Sequence, residues 1–69
     1  MKVINVIVNG ATRQLSDSTS VAKLIEEMEL TGKRIALERN GEIVPRSRFA
    51  VQQLADGDKL EVVVAVGGG

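Results

Sequence analysis

Apolar residues follow a helical repeat in one part of this 69-residue chain. The spacing i, i+3, i+4, i+7 occurs there at Val21, Leu24, Ile25 and Met28. This spacing predicts one amphipathic helix. Ser20 directly before this stripe is the expected N-cap. Gly32 is expected to end the helix, because glycine readily adopts the left-handed conformation of a helix C-terminus.

Strand-like segments rich in β-branched residues lie on both sides of the helix. They cover residues 2–9, 12–16, 35–39, 42–44 and 59–66. Asn9-Gly10 and Asn40-Gly41 predict tight hairpins, since both residue types tolerate positive φ. The first and last segments are apolar on both faces, which is typical of strands in the middle of a sheet. Residues 46–54 are interpreted as a short helical or 3₁₀ turn anchored by Phe49 and Leu54.

The order of these elements predicts an α+β fold with a mixed sheet of about five strands around one main helix. The first and last strands are expected to lie side by side and parallel, which is the β-grasp arrangement. Residues 1–66 would form this domain, and residues 67–69 a flexible glycine tail. Four residues, two on the helix and two on the central strands, are expected to be almost fully buried: Leu24, Ile25, Val6 and Val62.

Composition excludes several classes of function. Nine Lys and Arg balance nine Asp and Glu, so no net charge attracts nucleic acid or an anionic membrane. Neither Cys nor His occurs, which excludes catalysis or metal binding by a thiolate or an imidazole. Glu26, Glu27 and Glu29 are interpreted as a solvated helix face rather than a metal site. The apolar run 62–66 is too short to cross a bilayer, and no leader sequence is apparent, so a cytoplasmic protein is expected. So small a domain favours a binding or carrier module over an enzyme with its own catalytic residues.

The last three residues are glycines, directly after the predicted final strand. They can span about 10 Å when extended, and without side chains Gly67 and Gly68 could thread a narrow channel in another protein. The terminal carboxylate of Gly69 would be anionic at neutral pH and could attack the α-phosphate of ATP. A frayed end without function is the alternative.

Val63 and Ala65 form the second candidate site. They lie on the face of the last strand opposite Val62 and Val64, close to the tail, and would form an apolar docking surface for a partner if exposed. Coverage of this face by residues 46–54 is the competing interpretation.

Several motifs along almost the whole chain resemble the ThiS family of β-grasp proteins, the sulfur carriers of thiamine biosynthesis. They are the Asn9-Gly10 hairpin, the helix entry at 20–25, the segment Arg-Asn-Gly-Glu-Ile-Val-Pro-Arg at 39–46, the turn at 56–58 and the final Gly68-Gly69. A third glycine, Gly67, precedes the usual pair.

The resemblance implies a reaction cycle in which the chain is a protein co-substrate and binds no cofactor of its own. A ThiF-like adenylyltransferase would activate Gly69 with Mg-ATP. A cysteine desulfurase or another donor would then supply sulfur, and the resulting thiocarboxylate would deliver it to a ThiG-like thiazole synthase. A carrier that presents its tail to several partners is expected to be a monomer.

Three other functions fit the same pattern. The small subunit of molybdopterin synthase is similar in fold and tail, although that family is usually longer. A non-covalent ubiquitin-like interaction module would leave the tail inert. A ubiquitin-like tag would be attached to lysine side chains through an isopeptide bond.

Overall fold

The computed structural model describes residues 2–65, which form five strands, one α-helix and one 3₁₀ turn. In chain order these are β1 Val3–Val8, β2 Ala11–Ser16, α1 Val21–Glu27, β3 Ile35–Arg39, β4 Glu42–Ile43, the 3₁₀ turn Arg46–Arg48 and β5 Lys59–Val64. The sheet order is β2-β1-β5-β3-β4. β5 runs parallel to β1 and antiparallel to β3, which confirms the predicted α+β arrangement.

Two Asn-Gly turns set the hairpins, as predicted. Asn9 and Gly10 have φ values of 51° and 84°, and Asn40 and Gly41 have 53° and 86°. Two successive residues with positive φ give the twist that matches the right-handed twist of paired strands. β1 and β2 consequently pair in a continuous antiparallel register, from Val3 opposite Ser16 to Val8 opposite Ala11.

The hydrophobic core lies between one face of the sheet and α1. Val6 and Leu24 are completely buried, and Ile25 and Val62 are each 7% exposed, so the four predicted core residues are confirmed. Phe49, next to the 3₁₀ turn, and Leu54 close one end of this core. Their segment is tied to α1 by backbone hydrogen bonds, and it therefore covers the helix side of the sheet.

The helix begins as predicted but ends earlier. The Ser20 hydroxyl accepts a hydrogen bond from the Lys23 amide at 3.2 Å, and α1 then ends at Glu27. Glu29, with φ of 60°, takes the left-handed position, and the amides of Glu29 and Leu30 donate to the carbonyls of Glu26 and Ile25, both at 3.0 Å. This is the Schellman pattern of helix termination. The prediction that Gly32 ends the helix is wrong; Gly32 lies in the turn that follows.

The two central strands are buried on one face only. β1 and β5 occupy the middle of the sheet, as predicted, but Val3 and Val63 on their outer faces are 61% and 62% exposed. Apolar residues on both faces of β1 and β5 therefore correctly indicated a central position in the sheet, but they did not indicate burial of both faces. The predicted domain boundary between residues 66 and 67 lies outside the described residues.

Candidate functional site

The C-terminal end of β5 is hydrogen-bonded on both sides, as far as Val62 on one side and as far as Ala65 on the other. On one side the Asn9 side chain bonds the Val62 backbone twice: its amide donates to the carbonyl oxygen at 3.1 Å, and its oxygen accepts from the amide nitrogen at 2.8 Å. On the other side the Ala65 amide donates to the Arg34 carbonyl at 2.9 Å. The sheet therefore fixes the position of Ala65, the last described residue.

An exposed apolar patch lies at this end of β5. Val63 stands opposite Ala36 on the neighbouring strand, and Ala65 is also exposed. A shallow groove of about 290 Å³ is lined by these three residues together with Arg34, Ile35 and Arg46. The structure thus brings together the two predicted docking residues, and the competing interpretation that residues 46–54 cover them is wrong.

The predicted site of covalent modification, Gly69, lies outside the described residues, and so do Gly67 and Gly68. Their roles stay predictions.

Charged residues at this face form two groups, whose arrangement the sequence analysis did not predict. Arg34 and Arg46 line the groove at the end of β5. Glu38 and Glu61 lie directly opposite each other on β3 and β5, two residues farther from the C-terminal end of β5 than Ala36 and Val63. The alternation of Arg34, Ala36 and Glu38 along one strand signals a common face, but the pairing with Glu61 requires the register of the sheet.

A buried ion pair lies on the other face of the same strands. Asp58 is 4% exposed, and it accepts hydrogen bonds from the Arg39 Nε at 2.7 Å, the Asn40 Nδ2 at 3.0 Å and the Ala55 amide at 2.8 Å. Burial by itself raises the pKa of Asp58, but these hydrogen bonds and the Arg39 charge together outweigh burial and hold the pKa below its ordinary value. The sequence analysis placed Asp58 in a turn and missed this pair.

Within residues 2–65, no group of acidic side chains is arranged to hold a metal ion. No helix in the same part of the chain has the length and apolar character needed to cross a membrane.

A five-stranded mixed sheet with parallel first and last strands around one helix defines a ubiquitin-like β-grasp protein. Its candidate site is the exposed sheet face at the end of the C-terminal strand. Residues 6–69 match the sequence model of the ThiS family, and the chain therefore belongs to that family, whose members are small sulfur carrier proteins of thiamine biosynthesis rather than enzymes.

Individual relatives agree with this assignment. The sulfur carrier protein ThiS of Bacillus subtilis is 36% identical over 53 residues, which cover 77% of this chain and 80% of that protein. The crystal structure of the thiamine biosynthesis protein ThiS from Geobacter metallireducens superposes with a TM-score of 0.80 at 29% identity, covering 96% of this chain and all of that one.

A longer relative contains a segment similar to this chain. A thiazole synthase of Paramagnetospirillum magneticum is 42% identical over 66 residues, which are 96% of this chain. The chain spans only 20% of the length of that relative.

Proposed function

We propose that this chain carries sulfur as a thiocarboxylate on Gly69 and donates it for the formation of the thiazole ring of thiamine. Membership of the ThiS family carries this proposal, because the match runs through Gly69 itself. The exposed patch of Val63, Ala36 and Ala65 at the end of β5 supports it, since a carrier needs a surface that binds partners next to its reactive end.

Activation of Gly69 would take place in the active site of a ThiF-like adenylyltransferase with Mg-ATP as its substrate. A carboxylate oxygen of Gly69 forms a bond to the α-phosphorus of ATP, and pyrophosphate leaves. The outer sulfur of a persulfide on a cysteine desulfurase, or on another donor, then attacks the carbonyl carbon, and AMP leaves. A thiol cleaves the S–S bond of the resulting acyl disulfide: it forms a disulfide with the donor's inner sulfur, and the thiocarboxylate of Gly69 is released. The carrier supplies the carboxylate and the binding surface, and the partner supplies the catalytic groups.

A ThiG-like thiazole synthase is the proposed acceptor of the sulfur. The relative from Paramagnetospirillum magneticum supports this partner, because a segment similar to the carrier lies within a protein named thiazole synthase. The carrier is proposed to act as a cytoplasmic monomer.

Docking of the adenylyltransferase is assigned to Val63 and Ala65. Ala65→Glu places a charged side chain on the apolar patch, where binding of the partner would bury it at a cost. We expect a weaker complex by isothermal titration calorimetry and an unchanged unfolding midpoint, because Ala65 is exposed. An affinity equal to that of the native chain would remove the patch from the proposed interface.

Exchange of labelled pyrophosphate into ATP, with the adenylyltransferase of the same organism, tests the role of Gly69. Deletion of Gly69 shortens the reach of the chain by about 3.5 Å, and an alanine added after Gly69 converts its carboxylate into an amide that cannot attack ATP. We expect both variants to fold normally and to lose exchange. Gly67→Ala is the matched control, because it changes the tail at the position farthest from the reacting carbon and should retain most of the activity.

Exchange by the extended variant at the native rate would contradict the carrier function and favour the inert-tail interaction module. Intact mass spectrometry of the native chain isolated from cells provides an independent readout, in which replacement of one oxygen by sulfur at Gly69 is expected.

A further inference from the structure

The exposed sheet face carries two grooves that differ in charge. The groove at the end of β5 has an apolar floor of Ala36, Val63 and Ala65, bordered by Arg34 and Arg46. The Arg46 guanidinium donates to the Lys33 carbonyl at 2.9 Å, which holds this cation beside the groove. A partner surface that fits here presents an acidic group next to an apolar one.

The second groove, of about 550 Å³, lies between the two Asn-Gly turns. Glu38 and Glu61 line it together with Ile7 and Lys59. A lysine or arginine side chain fits this lining, because its aliphatic stem can pack on Ile7 while its charged group meets the carboxylates.

Glu38 and Glu61 are an unfavourable pair in the isolated domain. They lie directly opposite each other in the β3–β5 register, and like charges in such positions destabilise a sheet. The ion pairs among residues 2–65 are Lys23–Glu26 and Arg39–Asp58. Neither Glu38 nor Glu61 forms an ion pair in this part of the chain, although Lys59 lines the same groove. A cation supplied by a partner would remove this repulsion.

We propose that the two grooves bind opposite charges of one partner protein and thereby fix its orientation on the sheet. A basic side chain of the partner enters the groove of Glu38 and Glu61, and an acidic group faces Arg34 and Arg46. The two contacts are about 13 Å apart along β3, on either side of the apolar patch. The proposal rests on the proposed function, because the partner is identified as the adenylyltransferase that acts on Gly69.

The experiment neutralises the two glutamates of the second groove and leaves the apolar patch of Ala36, Val63 and Ala65 unchanged. The association rate of the double variant Glu38→Gln/Glu61→Gln with the adenylyltransferase is measured by stopped flow at several salt concentrations. We expect a rate roughly 3- to 10-fold below that of the native chain at low salt, and a weaker dependence on salt. The unfolding midpoint should stay equal or rise, since the repulsion between the glutamates is gone.

A control variant changes the net charge equally on the opposite side of the domain. Glu27→Gln/Glu29→Gln changes exposed residues at the end of α1 and in the turn after it, and it should associate within about twofold of the native rate. Arg34→Gln should slow association as the glutamate variant does, because it removes the other end of the pattern.

Equal association rates for the glutamate variant and the α1 control would overturn the proposal. Pyrophosphate exchange tests the carrier function independently of the docking proposal. A native chain that binds the enzyme with the predicted charge dependence but supports no exchange would contradict the carrier function and support the docking inference.

Discussion

Asp58→Asn tests whether a buried carboxylate fixes the β3–β4 hairpin against the start of β5. Both oxygens of Asp58 are used: Oδ2 accepts from Arg39 and from the Ala55 amide, and Oδ1 accepts from Asn40. Asparagine has nearly the same shape but offers one oxygen and one NH₂ group. Whichever way the new amide is oriented, its NH₂ group faces at least one donor.

The neighbours of Asp58 cannot adapt easily to this change. Turning the Asn40 amide would break a second hydrogen bond, since the Asn40 Oδ1 accepts from the Lys59 amide at 2.9 Å. A hydrogen bond to a charged group contributes about 1.5–3 kcal/mol. The Arg39 side chain is 29% exposed and regains part of its hydration, so we expect the free energy of unfolding to fall by about 2–3 kcal/mol.

The effect of Asp58→Asn should depend on pH in one direction. The folded-state pKa of Asp58 lies below the ordinary value of 3.8. The folded structure therefore stabilises the ionised carboxylate of Asp58 more than the unfolded chain does. The stability gained from this carboxylate is therefore fully present above the unfolded-state pKa and is lost as pH falls through the folded-state pKa. The difference between native and variant should shrink in that acidic range.

Urea unfolding followed by far-UV circular dichroism measures the effect, because the chain has neither Trp nor Tyr for fluorescence. Asp56→Asn is the matched control: Asp56 lies on the same turn and accepts from the Asn5 amide at 2.7 Å, but it is exposed, and we expect less than about 1 kcal/mol. Equal losses for the two variants, or a difference from the native chain that does not change between about pH 6 and about pH 3, would refute the role of the Asp58 network.

Two further predictions concern the helix. Leu24 is completely buried, so Leu24→Ala should lower the free energy of unfolding by about 2–5 kcal/mol. Val3→Ala, the control at an exposed position, should lower it by less than about 0.5 kcal/mol. Equal urea midpoints for the two variants would contradict packing of the helix on the sheet. Glu29→Gly should raise the free energy of unfolding by about 0.5–1 kcal/mol, because glycine adopts the left-handed conformation without strain. A lower thermal midpoint for this variant would show that the exposed Glu29 side chain contributes a stabilising contact.

Local residue patterns determined most of the secondary structure of this protein. Each Asn-Gly pair has the positive φ that a tight hairpin requires, and that requirement can be recognised without knowing the rest of the fold. The apolar stripe of α1 and the Ser20 cap are equally local, because residues one turn apart form them. The sequence motifs also indicated the family. The apolar alternation of the last strand placed Val63 and Ala65 on one face, but it left open whether residues 46–54 cover that face, and only the structure shows them exposed.

Tertiary structure decided the features that join distant parts of the chain. Gly32 was the better local signal for a helix end, but Leu30 packs on the core, and this contact accompanies the left-handed turn at Glu29. The Arg39–Asp58 pair and the opposition of Glu38 to Glu61 arise from the pairing of β3 with β5. A strand's own residues reveal which of its side chains share a face, but the strand next to it and the register between them depend on how the whole sheet packs against α1.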